Sequence, residues 1–528
     1  MPLSLSHRFA LASAAVSAIF FSLRVQAQIV PDGTLGTQAI GACGGTGGAC
    51  GIINGTTRGS NLFHSFQQFS LPNGDAANFI TNATIQNVIV RVTGVGQPFI
   101  SNINGAIATS NPANFFLLNP NGIIFGSGAA LGIRGSFLAT TADRMRFQDG
   151  VEFRTTDPAP LLTINVPIGL GFTGVPKPIQ MRSSFLSPVV GDNFRDFVLV
   201  GGNISLDDTE VTTPGRRVEL AAIGAPGTVG LAVSGNSLRL SLPNNLSRAD
   251  VSLTNDSRVL VAAGGGGDIA IHARNIDLSG GVLSTGIALG LGTTGSQAGD
   301  ITLDATEAIA LTNGARLSTS TFGRGNAGNV LIRAKDTVSF ENSAAFSRTN
   351  LGSIGNGGNI DIQTGVLLLT SNSRLDASTR GRGNAGNIVL RAQNTVSLNS
   401  SNAGTGVEGG IGKGGNIDIQ TQNLSITDGA RLIASTLGRG DAGNVVIQAD
   451  SVSISGSGDP NRPSTIRTAV DGGIGKGGDI QITTGTLRIA DGANIVSGNT
   501  SGLGNAGNVM IQARDSVSLV NASRLEIK

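Results

Sequence analysis

Nine recurrences of Gly followed by Asn or Asp, each leading into an alternating apolar segment, predict an all-β chain. The predicted architecture is a right-handed parallel β-helix with an N-terminal cap and about 29 residues per coil. Three observations carry this reading. The glycines, Gly267, Gly299, Gly328, Gly358, Gly386, Gly415, Gly443, Gly478 and Gly507, are separated by 32, 29, 30, 28, 29, 28, 35 and 29 residues. The segments that follow them alternate with a period of two. Charged residues make up only 13% of the 528-residue chain, against about 25% in an ordinary soluble domain, while 78 residues are glycine.

Each element of a coil has its own signal. In Gly328-Asn329-Val330-Leu331-Ile332-Arg333-Ala334, Val330, Ile332 and Ala334 share one face, and Leu331 and Arg333 share the other. Ile360, Ile362 and Thr364, then Ile388, Leu390 and Ala392, repeat the pattern. This is a half-buried strand. A second strand follows at Val338 and Phe340, Val396 and Leu398, Val452 and Ile454, and Val517 and Leu519. A third carries Leu317, Leu375, Leu432 and Ile495. The Gly-Asn corner is expected to need positive φ, which Gly and Asn tolerate. Asn329, Asn359, Asn387, Asn416 and Asn444 are expected to bond side chain to side chain along the rod. Nine coils at about 4.8 Å would rise roughly 43 Å. Asp459-Pro460-Asn461-Arg462-Pro463, in the longest gap, reads as a loop pushed out from a corner. One coil cannot bury enough to offset its ordering, so folding is expected to propagate from a cap. The end at Leu525-Glu526-Ile527-Lys528 falls midway through a coil and reads as a truncation.

The first 27 residues differ. His7 and Arg8 precede an apolar stretch from Phe9 to Leu23, and Val25-Gln26-Ala27 offers small residues for cleavage before Gln28. An anchoring helix is the alternative, but the stretch is shorter than the roughly 20 residues a span needs. A signal peptide at 1–27 is therefore expected. Cys43 and Cys50 are the only cysteines. Export favours a disulfide between them over a metal pair, which would lack nearby His ligands. The formal charge of +2 predicts no nucleic-acid partner.

Residues 28–150 hold the most specific text. Asn61-Leu62-Phe63-His64-Ser65-Phe66 leads to Leu71-Pro72-Asn73-Gly74. Asn111-Pro112-Ala113-Asn114-Phe115-Phe116-Leu117-Leu118 runs into Asn119-Pro120-Asn121-Gly122-Ile123, and Gly135-Ser136-Phe137-Leu138-Ala139-Thr140 follows. This text resembles the N-terminal haemagglutination-activity domain of filamentous haemagglutinins, the exoproteins of two-partner secretion. Gln28-Ile29-Val30-Pro31-Asp32-Gly33-Thr34 is similar to the mature start of such proteins. The resemblance implies recognition by a dedicated outer-membrane β-barrel transporter and folding outside the cell. Together with the leader and the repeat, it divides the chain into a signal peptide (1–27), the secretion domain (28–150), irregular coils (151–260) and regular coils (261–528). Asn119, Pro120, Asn121, Gly122 and Ile123 become candidates for transporter recognition or for folding of the cap. Physically they also read as a tight turn, and sequence does not separate the two.

No catalytic or metal-binding residue is predicted, and no cofactor. His64 and His272 are the only histidines after the leader. Gly264-Gly265-Gly266-Gly267-Asp268 lacks the nine-residue period of calcium-binding repeats. Arg324, Arg382 and Arg439 recur at one turn, with Lys413 and Lys476 in intermediate coils. A pectin-lyase-like enzyme on the same solenoid would place such a cluster once rather than periodically. The expectation is a secreted, non-enzymatic adhesin or aggregation factor at the cell surface, with host or neighbouring-cell glycans or proteins as further partners. The alternative is the N-terminal scaffold of a larger toxin or polysaccharide-active enzyme.

Overall fold

The computed structural model describes residues 28–43, 47–186, 195–457, 459, 461–500 and 502–527. The expected signal peptide, 1–27, lies outside the described residues. The chain is a parallel β-helix. A representative coil contributes Val330–Ala334, Thr337–Glu341 and Ala344–Phe346. Each strand pairs in parallel with its counterpart one winding on: Val330 with Ile360, Val338 with Leu367 and Ala345 with Leu375. From Ile360 the first two strands run on as one, Ile360–Thr370 and then Ile388–Asn399. Pairing continues around that corner, where the Val366 N–H donates to the Asp336 carbonyl (2.8 Å). Among the described residues no helix is long and apolar enough to cross a membrane.

Side chains alternate across a strand, so in-register pairing stacks like on like. Ile301, Val330, Ile360, Ile388, Ile417, Val445 and Ile480 form one buried column. In the third-strand column Leu317, Leu375 and Leu432 occupy alternate coils, with Ala345 and Ala403 buried between them.

The Gly-Asn corner differs from expectation in both residues. Of the nine glycines only Gly267 has a positive φ, 80°. The later ones are selected by room. A Cβ on Gly386 would overlap the carbonyl of Gly358, and one on Gly415 would overlap that of Gly386. Positive φ belongs to the corner after the second strand, at Asn313 (56°), Asn342 (48°), Asn372 (65°) and Asp428 (56°). The asparagines bond mainly to backbone. Oδ1 of Asn329, Asn359, Asn387 and Asn416 each accepts the N–H of the next coil's asparagine at 2.9 Å. Oδ1 of Asn444 accepts from Asp479 N–H (2.8 Å), and Oδ1 of Asp479 from Asn508 N–H (2.7 Å). Only the oxygen is required, which is why Asp replaces Asn. A second ladder runs three residues earlier through Asn326, Asn356 and Asn384. Of the side-chain bonds expected here, Asn387 Nδ2 to Asn359 Oδ1 (3.2 Å) occurs; a continuous side-chain ladder lies in the N-terminal coils. Asn87 Nδ2 donates to Asn61 Oδ1 (2.9 Å) and Asn114 Nδ2 to Asn87 Oδ1 (3.0 Å), all three buried.

The N-terminal coils are sheathed. Ile29–Pro31 and Thr56–Arg58 pair antiparallel with Asn61–Phe69. Glu152–Arg154, Arg144–Phe147, Pro167–Phe172, Gly227–Ser234 and Ser237–Ser241 form an antiparallel sheet outside the coil path. Its Met145, Phe147, Leu170, Val229 and Leu238 cover Phe63, Ile89, Phe116, Leu138 and Val198. The coil strands beneath are thus buried on both faces, and Asn114–Leu118, Phe137–Thr140 and Phe197–Gly201 are mostly apolar and show no alternation.

Gly386→Ala is expected to destabilise the rod by about 1–3 kcal/mol, because its methyl meets backbone rather than a movable side chain. Asn387→Ala is expected to cost about 0.5–1.5 kcal/mol, and Asn387→Asp less, since it keeps the acceptor. Urea unfolding followed by circular dichroism measures both. An aspartate variant as damaged as the alanine would contradict the oxygen ladder.

Candidate functional site

The corner at 119–123 joins Asn114–Leu118 to Ile123–Phe125. Pro120 and Asn121 head a tight turn closed by the Gly122 N–H on the Asn119 carbonyl (3.2 Å). Asn119 is fully buried. Its Nδ2 donates to the Phe99 carbonyl and to Ser101 Oγ, both at 2.8 Å. Its Oδ1 accepts from the Asn121 N–H (3.0 Å) and Asn121 Nδ2 (2.8 Å). Asn121 also ties down the preceding loop: Nδ2 donates to the Gly94 carbonyl (2.8 Å), and Oδ1 accepts the Gly96 N–H (2.7 Å). Gly122 adopts φ 119° and is buried against the Pro178 carbonyl, a backbone shape and space that favour glycine. Ile123 is buried in the core, and its N–H reaches the Pro178 carbonyl at 3.3 Å. The five residues therefore act as one corner that binds the loop at 94–101 and the strand that begins at Ile179.

The start of the described chain is fastened by a polar cluster that sequence reasoning missed. Arg91 is fully buried within Asn87–Val92. Its Nε donates to Ser65 Oγ (2.8 Å), it bonds the Arg154 carbonyl, and its guanidinium lies 5.0 Å from the Phe153 ring centroid. Burial lowers its pKa, opposed by the nearby Asp32 and Asp157 charges. Asp32 accepts from Ser65 Oγ (2.5 Å) and Thr93 Oγ1 (3.0 Å). Burial opposes its ionisation, but these bonds and those from Thr34 hold its pKa below the ordinary value. An arginine in an otherwise apolar run, Asn87-Val88-Ile89-Val90-Arg91-Val92, was the available signal. Cys43 and Cys50 are joined by a disulfide, with Cα atoms 4.7 Å apart.

The two histidines have opposite environments. His64 is fully buried beside Phe66 and Phe79, and burial pushes its pKa down to about 4. His272 lies between Asp304 (Nδ1 to Oδ2, 3.2 Å) and the buried Glu219 (Nε2 to Oε1, 3.4 Å). Burial works against its charge, but the two carboxylates raise its pKa. Arg217 (3.0 Å to Glu219) and Arg248 (2.9 Å to Asp304) complete the cluster. It joins Val218–Ala222, Ile269–Ala273 and Ile301–Ala305, three successive first strands.

Comparison with known proteins places this region. Residues 27–271 match the family model described as the TPS secretion domain. The match extends past residue 150, through the antiparallel sheet and the coils it covers. Among solved structures, the chain is similar to the HMW1 secretion domain from Haemophilus influenzae at 13% identity and a TM-score of 0.43, over 95% of this chain and 98% of that one. It is also similar to the filamentous hemagglutinin secretion domain at 16% identity and a TM-score of 0.30, over 66% of this chain and 99% of that one. No curated protein matches the chain.

The pH dependence of stability follows from the histidines. The folded pKa of His64 lies below the unfolded value near 6.5, so the unfolded chain takes the proton first. Stability is expected to fall as pH drops from about 6.5 to about 4, by about 3 kcal/mol from this residue. His272 has the opposite sign: its contribution is full below pH about 6.5 and is lost as pH rises through its raised folded value. Urea midpoints against pH should show His64→Asn flattening the acid limb and His272→Gln flattening the limb above neutrality. An acid limb unchanged by His64→Asn would refute the assignment.

Proposed function

We propose that the chain is a two-partner secretion exoprotein, exported by way of the TPS secretion domain that its residues 27–271 match, and that it acts at the cell surface as an adhesin or aggregation factor. The observation that carries this is continuity. One sheet of 25 strands runs from the N-terminal cap to Val509–Leu519, with no break between the secretion domain and the regular coils. The domain therefore serves as the first template of a rod, and a rod suits reach and display. The dedicated outer-membrane transporter is the partner that such a domain implies.

Within that route we assign Asn119-Pro120-Asn121-Gly122-Ile123 to building the first coils. The Asn119 side chain is enclosed and both its polar atoms are engaged within the protein. A partner meets it only while the chain is unfolded, so its part after emergence is to close the corner on which later coils stack. Folding that proceeds outward from this cap draws the chain across the membrane without ATP.

Co-expression with the outer-membrane partner tests both statements. The variant Asn119→Ala with Pro120→Ala is expected to reach the medium at less than half the amount of the parent protein, with the remainder degraded inside. Undiminished release would reject the role in export. Cells displaying the parent chain are expected to settle as aggregates or bind epithelial monolayers faster than cells lacking it. Equal settling and equal binding would reject adhesion.

A further inference from the structure

The corner preceding the Gly-Asn ladder carries an ordered surface that the fold does not require. Arg324, Ile354, Arg382, Ile411, Arg439, Ile474 and Leu503 are bridged one to the next in parallel, so they form a single column along the rod. Arg and an aliphatic residue alternate coil by coil over the first six positions. The three arginines are exposed, and their guanidinium groups have no partner among the described residues. Ile411, Ile474 and Leu503 are 47%, 45% and 69% exposed. Some arginines elsewhere on the rod are engaged, Arg380 with Glu408 (2.6 Å) and Arg348 with Asp376 (3.0 Å); what sets Arg324, Arg382 and Arg439 apart is that they stand in one file.

Two residues along, the second ladder supplies a flanking column of Asn326, Asn356, Asn384, Lys413, Asp441 and Lys476. The three asparagine Oδ1 atoms are taken by backbone N–H groups, which leaves each Nδ2 as a donor without a partner among the described residues. Over these two columns five cations face one carboxylate, on a chain whose net charge is only +2. This edge therefore carries a local excess of cations in regular order.

We propose that this edge binds a linear acidic polysaccharide that lies along the rod and carries a carboxylate on alternate sugars. The reading rests on surface display, and it names the class of partner. Successive arginines are two coils apart, about 9.6 Å, and the isoleucines between them offer apolar contact. A polymer that alternates charged and uncharged sugars repeats that pattern: carboxylate to guanidinium, ring C–H face to isoleucine, hydroxyls to the asparagine amides. A nucleic-acid strand presents a phosphate about every 3.4 Å, far denser than the column. A membrane surface calls for a broad face rather than a file one residue wide.

The full chain, purified from the medium, is tested with labelled hyaluronan, whose carboxylates sit on alternate sugars, with dextran, poly-dT and phosphatidylglycerol vesicles as comparisons. Hyaluronan is expected to bind, more weakly as salt rises, and dextran not to bind. The triple variant R324Q/R382Q/R439Q is expected to lose on the order of tenfold in affinity, with an unchanged circular dichroism spectrum. R324K/R382K/R439K should keep most of the binding, and Ile354→Ser with Ile411→Ser and Ile474→Ser should weaken it. An equal loss of charge elsewhere, R58Q/R182Q/R462Q, should leave it unchanged. No hyaluronan binding, full binding by the glutamine triple, or tighter binding to poly-dT or vesicles would overturn the proposal. Release is scored on the same cultures. Normal release with no polymer binding rejects this inference alone, and lost release with normal binding by extracted protein rejects only the secretion reading.

Discussion

The rest of the structure depends on one distance, the roughly 4.8 Å between hydrogen-bonded strands. At the Gly-Asn corner the backbone of one coil lies directly on the next, and a Cβ at Gly386, Gly415 or Gly443 would overlap the carbonyl beneath it. The repeat therefore tolerates almost any residue on its outer faces but only glycine here. The asparagine that follows turns the close approach to use, because its Oδ1 meets the N–H of the same corner one coil later. Steric exclusion and hydrogen bonding thus set the same register. A slip by one residue would lose both, and it would also turn the buried Ile and Val columns outward.

A stack of this kind propagates but does not begin easily, since an isolated coil has no partner on either side. The N-terminal region supplies the missing surface in three ways. Antiparallel strands cover the first parallel coil. The added sheet buries the outer face of the strands that follow. Buried polar groups fix what apolar packing leaves free: the Asn61–Asn87–Asn114 ladder fixes register, and Arg91 with Asp32 fastens the start of the described chain to the coils. Buried polar groups of this sort are costly unless fully engaged, so they specify one arrangement of the first coils. Aromatic stacking adds to it, with Phe115, Phe137 and Phe197 ring to ring at 5.9 and 5.8 Å.

The regular coils were legible in the sequence because their one buried face gives clean alternation, as at Val330-Leu331-Ile332-Arg333-Ala334. The reason for the glycine was not. Positive φ and lack of space both select glycine, and only coordinates distinguish them. The antiparallel sheet over 144–241 escaped because its strands fall outside the 29-residue period, although Arg144-Met145-Arg146-Phe147 alternates; the coil strands it covers, Asn114–Leu118 and Phe197–Gly201, are buried on both faces and show no alternation. At the candidate site the tight turn at 119–122 could be read from Pro and Gly. The enclosure of Asn119 could not, because its partners Phe99 and Ser101 lie 20 and 18 residues earlier in the chain, in a short helical turn and the start of a strand that carry no sequence mark of the contact. Arg91 and Glu219 were passed over because a charge inside an apolar run carries no mark of the partners that engage it.

The 29-residue coil is also not the full repeat. Along the third strand Leu317, Leu375 and Leu432 alternate with Ala345, Ala403 and Ile466. Along the outer corner Arg324, Arg382 and Arg439 alternate with Ile354, Ile411 and Ile474. The two alternations keep step, because each coil with Leu inside has Arg outside. Interior packing explains the first, since a small residue between two leucines lets them interlock. It does not explain the second, because the outer corner has no packing to satisfy. Placing Arg on every coil would set guanidinium groups about 4.8 Å apart and make them repel. Alternation halves that density while keeping a single straight file. From Leu317 to Ile466 the repeating unit is therefore a pair of coils, and each pair in that stretch adds one leucine to the core and one cation to the exposed edge; the alternation ends at Ile495 and Leu503. Over these coils the buried core and the charged edge lengthen in fixed proportion.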